Sequence, residues 1–150
     1  FIQDLRTKTT DETRENLFEA MKQSTLDDRR KVFLSILEKS SGKYVGEIGY
    51  TITVKSREGD VAELGYFILK EFWGKGYVTE AARAVLDYAF DEGGIVKIET
   101  GCNAENVGSE KIMIKLGMTR EAVFLKHSEL DGKLCDRVCY RMLKQEWVKS

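Results

Sequence analysis

Glu63-Leu64-Gly65-Tyr66-Phe67-Ile68-Leu69, with Phe72-Trp73-Gly74-Lys75-Gly76-Tyr77-Val78-Thr79-Glu80 close behind, is the stretch on which the reading of this chain turns. The first run is apolar and β-prone, and the second is a glycine-rich turn that opens an amphipathic helix. Such a junction gathers unpaired backbone N–H groups at the positive end of a helix dipole, which suits a phosphate ligand. Two familiar phosphate motifs fail here. A Walker A loop needs Ser or Thr after Gly-Lys, and Gly74-Lys75 is followed by Gly76. A dinucleotide fingerprint needs a third glycine where Thr79 stands. Two readings stay open. The glycines suit a plain tight connection, yet losing two side chains beside a large aromatic gains most where a ligand approaches the backbone closely.

Outward from this turn, Tyr77 to about Glu92 places Val78, Ala81, Ala82, Val85, Leu86, Ala89 and Phe90 at the helical period, and Gly93-Gly94 ends the helix. Upstream, Val32 to Glu38 and Tyr44 to Lys55 read as a hairpin around Ser41-Gly42-Lys43. The second of these strands alternates Ile48, Tyr50, Ile52 and Val54 with small or polar residues. Arg57-Glu58-Gly59-Asp60 then turns the chain into the strand Val61 to Leu69. Thr10-Asp11 caps an expected helix over Glu12 to Met21. Downstream, Ile95 to Cys102 reads as a strand and Asn106 to Leu116 as a short helix ended by Gly117. Met118 to Trp147 reads as strands joined by Asp131-Gly132. Strands before and after a βαβ-like centre predict a mixed α/β sheet with helices on its faces.

At 150 residues the chain suits one domain, and 42% hydrophobic with 33% charged residues suits an ordinary globular one. A formal charge of -1 argues against direct nucleic-acid binding. No apolar run is long enough to span a membrane and no signal peptide is recognisable, so a reducing cytoplasm is the expected address. Cys102, Cys135 and Cys139 are odd in number. Four residues of strand span about 13 Å, too far for Cys135 and Cys139 to pair. His127 is the only histidine, and no Cys/His spacing predicts a metal site.

Four motifs, in order and spacing, resemble the GNAT N-acetyltransferases: Glu63-Leu64-Gly65-Tyr66, Trp73 to Ala81, Asn106-Val107-Gly108-Ser109 and Lys115-Leu116-Gly117-Met118. The chain is most similar to the subgroup typified by the ribosomal-protein N-terminal acetyltransferases, whose last strand Asp136 to Trp147 also resembles. The likeness covers about positions 44 to 147. It implies a mixed, largely antiparallel twisted sheet with helices on both faces and a splayed parallel strand pair at its centre.

The resemblance also implies an acetyl-CoA-dependent transfer of an acetyl group to an amine, by direct attack. Gly74, Lys75, Gly76, Tyr77 and Thr79 would hold the pyrophosphate. Phe67, Ile68 and Leu69 would pair with pantetheine and offer an amide to the thioester carbonyl. Asn106 matches a pantetheine-binding asparagine, and it equally suits a helix N-cap. Ser109 is the expected proton donor to the departing thiolate, and a serine in a first helical turn equally suits capping. Glu63 is the expected base, with Glu47 in reserve, since the attacking amine must lose a proton; a solvated strand-end carboxylate is the bland alternative for Glu63. The cysteines are expected to be packing residues. A non-catalytic domain that binds acyl-CoA as a sensor is the alternative function.

Several residues depart from the family pattern. Glu71 stands where Arg or Gln is common, Ile112-Met113-Ile114 occupies the region of a frequent general-acid tyrosine, and Asn103-Ala104 replaces Asp-Pro. Relatives usually begin with a strand and helix that this chain is expected to lack, which leaves an edge at Val32 to Glu38 open to pairing. A trimmed chain, or a homodimer that shields this edge, is expected. The acceptor stays open among a protein N-terminus, a polyamine, an amino sugar and an amino acid, because fold does not fix substrate.

Overall fold

Alternation of apolar with polar residues sends Ile48, Tyr50 and Ile52 to one face of the strand Tyr44–Val54 (β2), and all three are buried there. The computed structural model describes residues 29–148. β2 pairs antiparallel with Lys31–Leu37 (β1) on one side and with Asp60–Ile68 (β3) on the other. The glycine turn leads into a helix, Tyr77–Asp91 (α1), and the chain returns as Ile95–Asn103 (β4), parallel to β3. A second helix, Val107–Lys115 (α2), precedes the long hairpin of Thr119–Leu130 (β5) and Lys133–Leu143 (β6). The sheet has six strands in the order β1-β2-β3-β4-β6-β5, and every pairing except β3 with β4 is antiparallel.

The core lies between one face of this sheet and the two helices. The apolar stripe of α1 (Val78, Ala82, Val85, Leu86, Ala89 and Phe90) is buried against Tyr50, Leu64 and Ile98. α2 adds Met113, and Tyr66 of β3 donates its hydroxyl to the Ser109 carbonyl at 3.3 Å, tying α2 to the same face. Trp147, beyond β6, donates its indole N–H to Asp87 at 2.7 Å and lays its ring 6.3 Å from Phe90. The helix expected over Glu12 to Met21 lies outside the described residues.

Most element boundaries fall within a residue or two of the sequence-based expectation, but the last strand stops at Leu143 rather than Trp147 and gives way to a 3-10 turn, Lys144–Glu146. The Asp131-Gly132 turn has φ of +51° and +82°, the doubly left-handed geometry of a two-residue hairpin. Two further features were not expected. A single 3-10 turn, Lys70–Phe72, separates β3 from the glycines. β5 is irregular between Phe124 and Ser128, where Lys126 has φ of +50° and its N–H finds Asp136 at 2.8 Å. Among the described residues β1 and β5 are the sheet's edges.

Candidate active site

The parallel pair at the centre is short. β3 and β4 stay in register only from Asp60 and Ile95 to Glu63 and Glu99, although both strands run on for several residues. Past that rung the Thr100 hydroxyl, buried, donates to the Leu64 carbonyl at 3.0 Å, so a side chain makes the last link. Beyond it the strands splay.

Backbone alternation determines which groups face this gap. Leu69 N–H bonds the Val45 carbonyl at 2.9 Å, so Leu69 and, two residues back, Phe67 turn their amides toward β2. Tyr66 and Ile68 therefore turn theirs toward β4, as Leu64 does its carbonyl. The Ile68 carbonyl is taken by the Trp73 indole N–H at 3.0 Å. Among the described residues the Tyr66 and Ile68 amides have no ladder partner on β4, and they aim into the gap. Of the three strand residues the sequence nominates, Ile68 is thus the one with an amide directed at it, and Tyr66 joins it.

The glycine turn closes the same end of the gap. Gly74 and Gly76 have φ of +76° and +87°, a region L side chains rarely adopt, and a Cβ on either would meet nothing within 4 Å. The glycines are needed for the backbone path, and the space beside them is open. Gly76 is the N-cap of α1 with no side-chain cap, and the first helical bond runs from Glu80 N–H to Gly76 O. The N–H groups of Tyr77, Val78 and Thr79 precede it and find no acceptor among the described residues. This is an anion seat by geometry.

The side chains around the turn make contacts of their own. Lys75 lies with its ammonium 5.1 Å from the Phe72 ring centroid. Tyr77 packs edge-on against Phe72 and donates its hydroxyl to Glu38 at 2.5 Å, which fastens the β1–β2 loop to the start of α1. Hydrogen bonds from Ser41 and Tyr77 hold the Glu38 carboxyl below its ordinary range. No local pattern signals this contact, because the two residues are 39 apart in sequence.

Asn106 is the N-cap of α2, and its Oδ1 accepts from Ser109 N–H at 3.1 Å. The capping role is therefore real, and it leaves the amide NH2 uncommitted among the described residues. Asn106→Ala is expected to cost about 1 kcal/mol of stability, read as a lowered midpoint in urea unfolding. Ser109 is half-buried, with its carbonyl on Tyr66 and its hydroxyl uncommitted among the described residues. Burial pushes the Tyr66 phenol up to about 12, the Ser109 bond acting weakly the other way. A network below, Glu110 with Tyr140 at 2.8 Å and Arg120 at 2.5 Å, anchors α2 to β5 and β6.

Glu63 stands at the fork itself, on the face of the sheet opposite the helices, and pairs with Arg137 at 3.1 Å. Glu47 lies on that face too, in register with Phe67. Its partner Tyr44 is pushed up to about 12 by burial and then by its bond to Glu47. Glu63 and Ser109 thus flank the gap from opposite faces of the sheet. Burial raises the Cys102 thiol to about 11, which suits a packing residue rather than a nucleophile. Among the described residues no group of His, Cys, Asp and Glu could hold a metal ion, and no helix is long and apolar enough to cross a membrane.

A mixed sheet that splays at a central parallel pair, with a glycine-capped helix at the open end, defines the acetyltransferase class known as GNAT. The family profile described as an acetyltransferase (GNAT) domain matches residues 2–119, and the chain belongs to that family. It is 34% identical over 100 residues to the uncharacterized N-acetyltransferase YnaD of Bacillus subtilis (strain 168), covering 67% of this chain and 59% of that one. It is 35% identical over 86 residues to the putative ribosomal N-acetyltransferase YdaF of the same organism, covering 57% of this chain and 47% of that one. A crystal structure of a GNAT-family acetyltransferase from Bacillus anthracis superposes with a TM-score of 0.73 at 28% identity, covering 92% of this chain and 76% of that chain. The chain spans about half to three fifths of the length of these two curated relatives.

Proposed function

We propose that this protein is an acetyl-CoA-dependent N-acetyltransferase acting in the cytoplasm, with a protein N-terminus or a small amine as acceptor. One observation carries the reading. The Tyr66 and Ile68 amides and the uncapped start of α1 open on a single gap, between strands whose pairing stops at Glu63 and Glu99. An extended chain ending in a pyrophosphate fits that arrangement: pantetheine along β3, phosphates on the N–H groups of Gly76, Tyr77, Val78 and Thr79.

In this reading the Ile68 or Tyr66 amide stabilises the oxyanion formed when the amine adds to the thioester carbonyl. Glu63 takes the proton the amine must lose, from the open face of the sheet. Collapse of the adduct breaks the C–S bond as the amide forms, and Ser109 relays a proton from water to the departing thiolate on the helix face, while Glu63 returns its proton to water on the other. Asn106 orients pantetheine through its free amide hydrogens. Family membership and the similarity to YdaF, a putative ribosomal N-acetyltransferase, support a free amino group as the acceptor class. The test is thiol release from acetyl-CoA in the presence of a short peptide with a free amino terminus, spermidine or glucosamine. Amine-dependent release is expected with one of them. Binding of acetyl-CoA without release from any would leave the sensor reading in its place.

A further inference from the structure

Arg137 lies on the last strand, outside the four short motifs and with no role assigned to it by the resemblance, and it sits at the fork. On β6 it is in register with Asn103 of β4, yet its side chain runs back across the strand. It passes over Gly101, where an added Cβ would stand 3.0 Å from Nε and 3.1 Å from Nη2. Its Nη2 then donates to Glu63 Oε1 on β3 at 3.1 Å. One guanidinium therefore crosses the width of β4, from β6 to β3, over a residue with no side chain to obstruct it. It lands at the last backbone rung, Glu63 with Glu99.

We infer that Arg137 is a positioning residue that fixes the Glu63 carboxylate at the mouth of the gap. The inference rests on the proposed role of Glu63 as the base. A glutamate on an open sheet face samples several rotamers, and a planar guanidinium fork restricts it in direction as well as distance. With Oε1 engaged by Arg137, Oε2 is left to receive the amine proton. The side chains are 31% and 50% exposed. A pair so open to water contributes little to stability, so its role is geometric. Lysine at the same place supplies the charge without the fork, and its shorter reach from β6 to β3 makes it a partial substitute.

The experiment is steady-state thiol release from acetyl-CoA by the full chain, with the three amines named above as acceptors. The variants are Arg137→Met, Arg137→Lys, Glu63→Gln and the Arg137→Met/Glu63→Gln double substitution. Arg137→Met is expected to lower kcat about tenfold, with the KM for acetyl-CoA and the melting temperature unchanged. Arg137→Lys should recover part of that loss. The double variant should be no slower than Glu63→Gln alone, because an arginine that acts only through Glu63 has nothing left to position. Wild-type kcat in Arg137→Met, losses that multiply in the double variant, or a loss of folding or acetyl-CoA binding in both Arg137 variants would each overturn the inference. If Glu63→Gln itself keeps full activity, the base reading fails first. If no amine releases thiol from the wild type, both fall.

Discussion

Glu63→Gln is expected to lower kcat by about 100-fold or more, the range general-base catalysis supplies, while leaving the affinity for acetyl-CoA as it was. The reasoning is positional. Glu63 occupies the last residue of β3 still paired to β4, and its side chain emerges on the face opposite Ser109. An amine reaching the thioester from that face meets this carboxylate at the fork, beside Glu99 of the same rung, which Lys97 holds at 2.7 Å. Glutamine keeps the shape and the contact with Arg137 but cannot take a proton. The proposed cofactor seat, built from backbone N–H groups around Gly76 and from β3 amides, does not involve the Glu63 side chain. A split between kcat and cofactor binding is therefore the signature. An equal fall in both would mean that Glu63 shapes the gap rather than the chemistry, and full activity would pass the role to Glu47 or to water.

Phe90→Ala is expected to destabilise the fold by about 3–5 kcal/mol. Phe90 is 1% exposed on the inner stripe of α1, in contact with the Trp147 ring that closes the end of the core. Removing the ring leaves a cavity between the helix and the sheet that neither rigid element can close. Against a typical total of about 5–15 kcal/mol, the loss is large enough to appear as a marked fall in the urea midpoint. Because Trp147 loses its neighbour, its fluorescence should change in the folded state as well. A loss under about 1 kcal/mol would mean that Trp147 folds inward to fill the space.

The parts of this fold that were legible in the sequence are those that local periodicity governs. Ile48, Tyr50 and Ile52 declare a half-buried strand, Val78 to Phe90 declares an amphipathic helix, and Asp131-Gly132 declares its own turn. The glycines at 74 and 76 mark a tight turn, and their positive φ and open flanks leave room for the ligand proposed there. What stayed hidden depends on register. Tyr77 meets Glu38, Tyr66 meets Ser109 and Arg137 meets Glu63 across 39, 43 and 74 residues. Such contacts exist only once the strands are paired in one alignment. The same holds for the strand amides: sequence nominates Phe67, Ile68 and Leu69 alike, and only the bond from Leu69 N–H to Val45 sorts those facing the gap from those facing β2. The irregularity in β5 gave no sign either, since Lys126 is not a residue that announces a left-handed backbone.

The most direct test of the account is calorimetric titration of the protein with acetyl-CoA, beside a Gly76→Trp variant shown by its melting curve to be folded. Position 76 faces open space and has φ of +87°, so tryptophan there both strains the turn and occupies the place assigned to the pyrophosphate. The account predicts saturable one-to-one binding by the wild type, weakened by about 100-fold or more in the variant, a difference of about 2.7 kcal/mol. Absence of binding by the folded wild type, or equal affinity in both proteins, would contradict it.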